Sequence, residues 1–326
     1  MFSFENFLDL PFIWGGLIAT AIFLYIVLDG FDLGVGILFP FAPTERCRDR
    51  MMNSIAPFWD GNETWLVLGG GGLFAAFPLA YSVLMPALYI PITIMLLGLV
   101  FRGVAFEFRY KAESSKKIWD VAFHFGSLAA AFSQGMVLGG AVQGVTVQGR
   151  SFAGGAFDWL SAFSVMTGLA LVCGYALLGA TWVIMKTEDN TQAWARKCAT
   201  YLVTHVALFM GLVCLSMPFI NDSIKALWFG WPSMLFLSPI PIISFGLLFV
   251  LWRDVRAQRE YRPFFFSLGL FFMNYLGLAI SLWPWLVPFE FTFRQAAAAP
   301  ESQSLLLVGT VIMLPVILVY VGFCYY

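Results

Sequence analysis

Four carboxylates stand in two pairs, Asp29 with Asp32 and Asp60 with Glu63, each pair three residues apart. On a helix that spacing puts both members of a pair on one face. The first pair, in Asp29-Gly30-Phe31-Asp32, lies inside an apolar run over 11–40 that holds no basic residue. The second opens an apolar run that reaches Ala76 through Gly69-Gly70-Gly71-Gly72. A fifth acid, Glu107, closes a third apolar run. An ionised Asp at a membrane-helix centre costs about 2.5–3.5 kcal/mol. Keeping an ordinary Asp protonated at pH 7 costs about 4 kcal/mol. With the two so nearly matched, neighbours decide which form prevails, and a carboxyl able to take and release a proton suits a relay.

Structural readings stand beside the chemical ones. Asp60 and Glu63 also suit the positive end of a helix dipole. Glu107 has Arg102 and Arg109 within reach for pairing at the interface. Gly30, Gly34 and the run 69–72 suit close helix packing, or room for a quinone tail or a hinge. His124 and His205 each fall about six residues inside a span, roughly 9 Å deep, so a shared haem or metal is geometrically open to them. No acid or cysteine lies beside either, which favours packed or hydrogen-bonded histidines. Cys47, Cys173, Cys198, Cys214 and Cys324 show no CxxC or paired spacing, against zinc, iron–sulfur or disulfide frameworks.

These groups need helices to position them. The chain is 60% hydrophobic and only 11% charged, far below the charge of a soluble domain. It therefore reads as all-α, a single integral membrane domain over 1–326, with no nucleic-acid partner expected. Runs long enough to cross the hydrocarbon predict nine spans: 11–40, 57–77, 82–106, 119–143, 159–185, 199–220, 232–251, 264–283 and 305–326. In the second, Ser54 is the expected N-cap and Pro57 sits in the first turn; its glycines and charged start also permit a re-entrant segment, leaving eight. Lys225 to Trp231 reads as an interfacial turn anchored by Trp228 and Trp231. Glu5 and Asp9, with no basic residue in the first eleven, argue against a cleaved signal peptide.

Fifteen of the 18 Lys and Arg fall in odd-numbered connections, Arg102 counted in the third. Arg150, Lys225 and Arg294 alone fall in even ones. That asymmetry predicts a cytoplasmic face for the odd loops, an N-terminus outside and a C-terminus inside. Asp60, Glu63 and Glu107 then cluster at the cytoplasmic side, and Asp29 lies roughly 16 Å above the Pro40 end of its helix.

Several stretches together resemble one family. They are Asp29-Gly30-Phe31-Asp32-Leu33-Gly34-Val35-Gly36, Asn53 through Glu63, Phe101 through Arg109, Gly179-Ala180-Thr181-Trp182 with Lys186-Thr187-Glu188, Pro284 to Gln303, and Pro315 to Tyr320. The chain is similar over nearly its whole length to subunit II of cytochrome bd quinol oxidases. Its short 144–158 connection resembles the cyanide-insensitive branch. The resemblance implies two four-helix bundles, 11–143 and 159–283, plus a peripheral helix at 305–326. It implies a multi-pass subunit of the bacterial inner membrane, paired with a subunit I that carries two haems b, one haem d and the quinol site. It implies oxidation of ubiquinol or menaquinol and reduction of dioxygen to water. This subunit is implied to hold no haem ligand, but acids at Asp29, Asp32, Asp60 and Glu107 that help conduct cytoplasmic protons. Trp59, Asn62, Gly30 and Gly34 are taken as support for that path, with Glu63 at its mouth. A small single-helix accessory subunit, a structural quinone or lipid, and a short basic tail beyond Tyr326 also belong to the expectation.

Two other classes fit the residues. A proton- or cation-coupled secondary transporter would use Asp29 and Asp32 as its coupling site and the glycines as a helix break. A structural assembly subunit would use the acids only to dock.

Overall fold

A computed structural model describes residues 9–325; Glu5 and Tyr326 lie outside the described residues. The described residues form thirteen α-helices and two short hairpins. In order, the helices are α1 (Leu10–Leu38), α2 (Glu45–Asn53), α3 (Trp59–Ala76), α4 (Pro78–Ala87), α5 (Tyr89–Lys111) and α6 (Lys116–Gln143). The second half holds α7 (Ala162–Lys186), α8 (Asp189–Ser216), α9 (Asp222–Phe229), α10 (Ser233–Leu237), α11 (Pro239–Arg256), α12 (Arg262–Leu282) and α13 (Pro300–Tyr325). Antiparallel hairpins β1 (Val147–Gln148) with β2 (Ser151–Phe152), and β3 (Trp285–Val287) with β4 (Phe291–Thr292), close two of the connections.

Eight of the described helical stretches are long and apolar enough to cross a membrane. A ninth is α3 with α4, bent by 120° between them. The bend has a local cause. Pro78 cannot donate a backbone hydrogen bond and forces Phe77 out of the helical region. The orphaned Ala76 carbonyl instead accepts from the Ala298 amide and from Gln303 Nε2, both at 2.9 Å. The expected third span, 82–106, is corrected accordingly: residues 78–87 form α4 against both hairpins, and the crossing helix starts at Tyr89.

The expected cap at Ser54 is also displaced. Glu45–Asn53 is itself a helix, and Ser54 ends it; its hydroxyl donates to the Met51 carbonyl and accepts from Trp182 Nε1. Pro57 lies in the turn that follows, before α3 begins at Trp59. Of the expected turn Lys225 to Trp231, residues 225–229 belong to α9, from which Trp228 donates to Ser281 Oγ while Trp231 stays exposed.

Helix α1 is the axis of the first half: it packs on α3, α6 and α7. Its closest crossing is with α7, where a Cβ on Gly34 would stand 2.8 Å from the Gly179 nitrogen. Gly30 lies under the Tyr175 ring in the same seam. In the second half α7, α8, α11 and α12 form a ring, each against the next. Helix α13 packs chiefly on α1 and α3 and leaves most of its surface exposed.

Candidate functional site

The core of the site is a cation absent from the expected set. Arg102, counted above with a connection, lies buried within α5, nine residues before its end. Its Nη1 donates to Asp29 Oδ1 at 2.5 Å and its Nη2 to Glu63 Oε1. The guanidinium thus joins α1 to α3 through one carboxylate each. Glu63 is 27% exposed, whereas Asp29 is fully buried. Glu107 pairs with neither arginine. Five residues past Arg102, it comes off the exposed side of α5 and makes no ion pair or side-chain hydrogen bond among the described residues. Arg109 turns inward and donates to Asp120 Oδ1 and Asp49 Oδ1, and Arg48 adds a second cation to Asp120.

One turn beyond Asp29, buried Asp32 accepts from Asn62 Nδ2 at 2.8 Å. The same amide reaches the Leu28 carbonyl, and Asn62 Oδ1 accepts from the Tyr325 hydroxyl at 2.8 Å. Tyr325 stacks on Phe58, ring centroids 4.4 Å apart, so the end of α13 closes the site. Asp60 shares the first turn of α3 but stays exposed, with no partner among the described side chains. Trp59 packs on Phe106 and lies over Gly103, walling the ground beside Arg102.

Two carboxylate oxygens, Asp29 Oδ2 and Asp32 Oδ1, are buried with no hydrogen-bond partner. The buried Tyr25 hydroxyl, one turn before Asp29 on the same face, reaches toward the Asp29 carboxylate without well-formed hydrogen-bond geometry. Tyr175, beside them across the α1–α7 seam, donates to Gln134 Oε1 at 3.0 Å. The structure therefore brings Asp29, Asp32, Glu63 and Asn62 together, and leaves Asp60 at the mouth and Glu107 apart.

The two histidines meet different groups, His124 on α6 and His205 on α8, with α7 packed against both helices. His124 Nδ1 lies 3.4 Å from the Gly36 carbonyl, and His205 Nδ1 lies 2.8 Å from the Tyr201 carbonyl of its own helix. No group of three or more His, Cys, Asp or Glu suited to a metal occurs among the described residues.

Arg102 had a signal in the sequence, since apolar residues run on both sides of it; its nearness to Arg109 hid it. Tyr325 had none, because nothing in its own helix marks it as the partner of Asn62.

Helices that span a membrane, with a cluster of buried charge in the first half, define a polytopic all-α membrane protein. Residues 10–326 match the family model described as cytochrome bd terminal oxidase subunit II, and the chain belongs to that family. As its subunit II, the chain serves a quinol:oxygen oxidoreductase of respiratory electron transport, beside a partner subunit I. It is 28% identical to the Escherichia coli K12 cytochrome bd-I ubiquinol oxidase subunit 2, over 97% of this chain and 93% of that one. It is 35% identical to the Bacillus subtilis cytochrome bd ubiquinol oxidase subunit 2 over 57% of this chain and 56% of that one. The fold is similar to a chain of the bd oxidase from Geobacillus thermodenitrificans, with a TM-score of 0.80, 16% identity, and coverage of 96% of this chain and 97% of that one.

Proposed function

We propose that the cluster around Arg102 takes protons from the basic face of the membrane and passes them toward oxygen reduction in the partner subunit. The observation that carries this reading is a charge count. Asp29, Asp32 and Glu63 surround a single guanidinium. Buried net charge is expensive, so a neutral cluster holds two protons, and two unpaired carboxylate oxygens are there to hold them. Protons enter at exposed Asp60, move one helical turn to Glu63, and cross by way of Asp29 to Asp32. Glu107, on the outer side of α5, is not needed as an entrance.

The basic loops face the cytoplasm in this reading, and the enzyme sits in the bacterial inner membrane. The partner carries two haems b and one haem d. In this reading the haems belong to the partner, and His124 and His205 keep to the Gly36 and Tyr201 carbonyls that their Nδ1 atoms meet. Residues 11–143 and 159–283 act as two four-helix bundles with the last helix peripheral, and a small accessory subunit completes the complex. Ubiquinol is the favoured substrate over menaquinol, on the names of the two relatives. Taking protons from inside while quinol releases its own outside moves charge worth about 2.3 kcal/mol per charge per 100 mV.

Asp60→Asn and Asp29→Asn should slow oxygen uptake by the assembled complex, by roughly tenfold or more if relay through a single carboxyl limits turnover. Haem content and subunit stoichiometry should stay unchanged. Full turnover with a normal proton gradient in Asp29→Asn would place the path elsewhere.

A further inference from the structure

The second half of the chain carries cations that the acid cluster does not use. At the basic ends of α8 and α11 stand Arg196, Lys197, Arg256 and Arg259, none in an ion pair among the described residues. The one buried acid nearby, Asp254, is taken by Arg253 and Arg262. Glu260 acts on Arg196 without forming a salt bridge. Two of the free guanidiniums are already held in place. Arg196 Nη1 donates to the Arg259 carbonyl at 2.8 Å, and Arg256 lies 4.2 Å over the Trp252 ring.

From Arg256 an apolar stripe descends α11 at spacings of three and four: Trp252, Phe249, Phe245, Ile242. That is one face of the helix. Phe249, Phe245 and Ile242 are exposed, and Phe249 stacks on Trp252. Phe245 is also part of the wall of a cavity of about 330 Å³ between α8, α11 and α12, lined further by Met210, Cys214, Phe229 and Leu278. The cavity's hydroxyls are spent on their own helices, Ser244 on the Ile240 carbonyl and Ser281 on Gly277. Asn274 Nδ2 is likewise spent on the Leu270 carbonyl. Such a wall suits hydrocarbon better than a polar head. The eleven helical steps from Arg256 to Phe245 span roughly 16 Å, about the hydrocarbon depth of one leaflet, half of ~30 Å.

We propose that this corner binds an anionic phospholipid, its phosphate among Arg196, Arg256 and Arg259, with one acyl chain laid along α11 into the cavity. The cations supply a charge that no salt bridge among the described residues answers, and the stripe joins that charge to a space shaped for a chain end.

The test uses the purified two-subunit complex in nanodiscs of phosphatidylcholine containing a minor share of phosphatidylglycerol, with retained lipid counted by native mass spectrometry. The complex should keep phosphatidylglycerol in preference to phosphatidylcholine. Arg196→Gln with Arg256→Gln should cut that retention roughly tenfold or more. Cys214→Phe, which fills the cavity and leaves every charge, should also lower it; Arg256→Lys should restore most of it. Equal retention in the double variant, equal capture of phosphatidylcholine, displacement by millimolar inorganic phosphate, or a quinone in the cavity instead would each overturn the proposal. Retention is read on lipid and not on turnover, so its failure is separable from failure of the proton path.

Discussion

Removing the Arg102 guanidinium would leave Asp29 and Glu63 uncompensated in a site with little water. Breaking a buried pair in this way costs about 3–5 kcal/mol, so Arg102→Met should lower the thermal stability of the complex sharply. Asp29→Asn in the same chain removes one of the stranded charges and should recover part of the loss. The coupling expected between two residues in direct contact is about 0.5–3 kcal/mol. Strictly additive losses in that double-mutant cycle would mean the pair at 2.5 Å is not formed. Tyr325→Phe is a gentler probe. It deletes the hydroxyl that meets Asn62 Oδ1 while keeping the ring on Phe58, and should cost about 1 kcal/mol.

The α1–α7 seam exists because neither Gly34 nor Gly179 has a side chain, and backbone meets backbone there. Gly34→Leu has no space to enter and should cost about 1–3 kcal/mol or block assembly outright. Gly211→Ala in α8 meets nothing within 4 Å. It should be neutral or gain up to about 1 kcal/mol from helix propensity. Detergent-solubilised melting curves of the two variants should separate by at least the first amount; coincident curves would remove the seam as the element that holds the halves together. The break at Phe77 belongs to the same scale. Gln303→Leu removes one of the two donors to the Ala76 carbonyl and should loosen α13 where it leaves the hairpin of β3 and β4.

Across the whole molecule, charge and shape agree on which face is which. The α2 loop and the starts of α6, α8 and α12 carry the basic residues, while α4 and both hairpins gather on the other face. In intact cells, Arg150→Cys in the first hairpin should react with an impermeant maleimide, whereas Lys117→Cys should react only after permeabilisation. The reverse pattern would turn the subunit over and put Asp60 on the wrong side for proton uptake.

Class, most of the spans and a cluster of acids within them were legible in the residues, because burial of apolar runs and the scarcity of charge are properties of composition and local period. Asp29 and Asp32 stood out for the same reason: an acid without a base in its own apolar run has to find something. What it finds is a tertiary fact. Arg102 lies 73 positions from Asp29 in the chain, and Tyr325 lies 263 from Asn62; no spacing rule reaches that far. Folding also decided that Asp60 and Glu63, matched by period, part company, because α3 turns only Glu63 toward α5. Sequence alone determined that buried charge must be answered within the membrane, and packing chose the group that answers it.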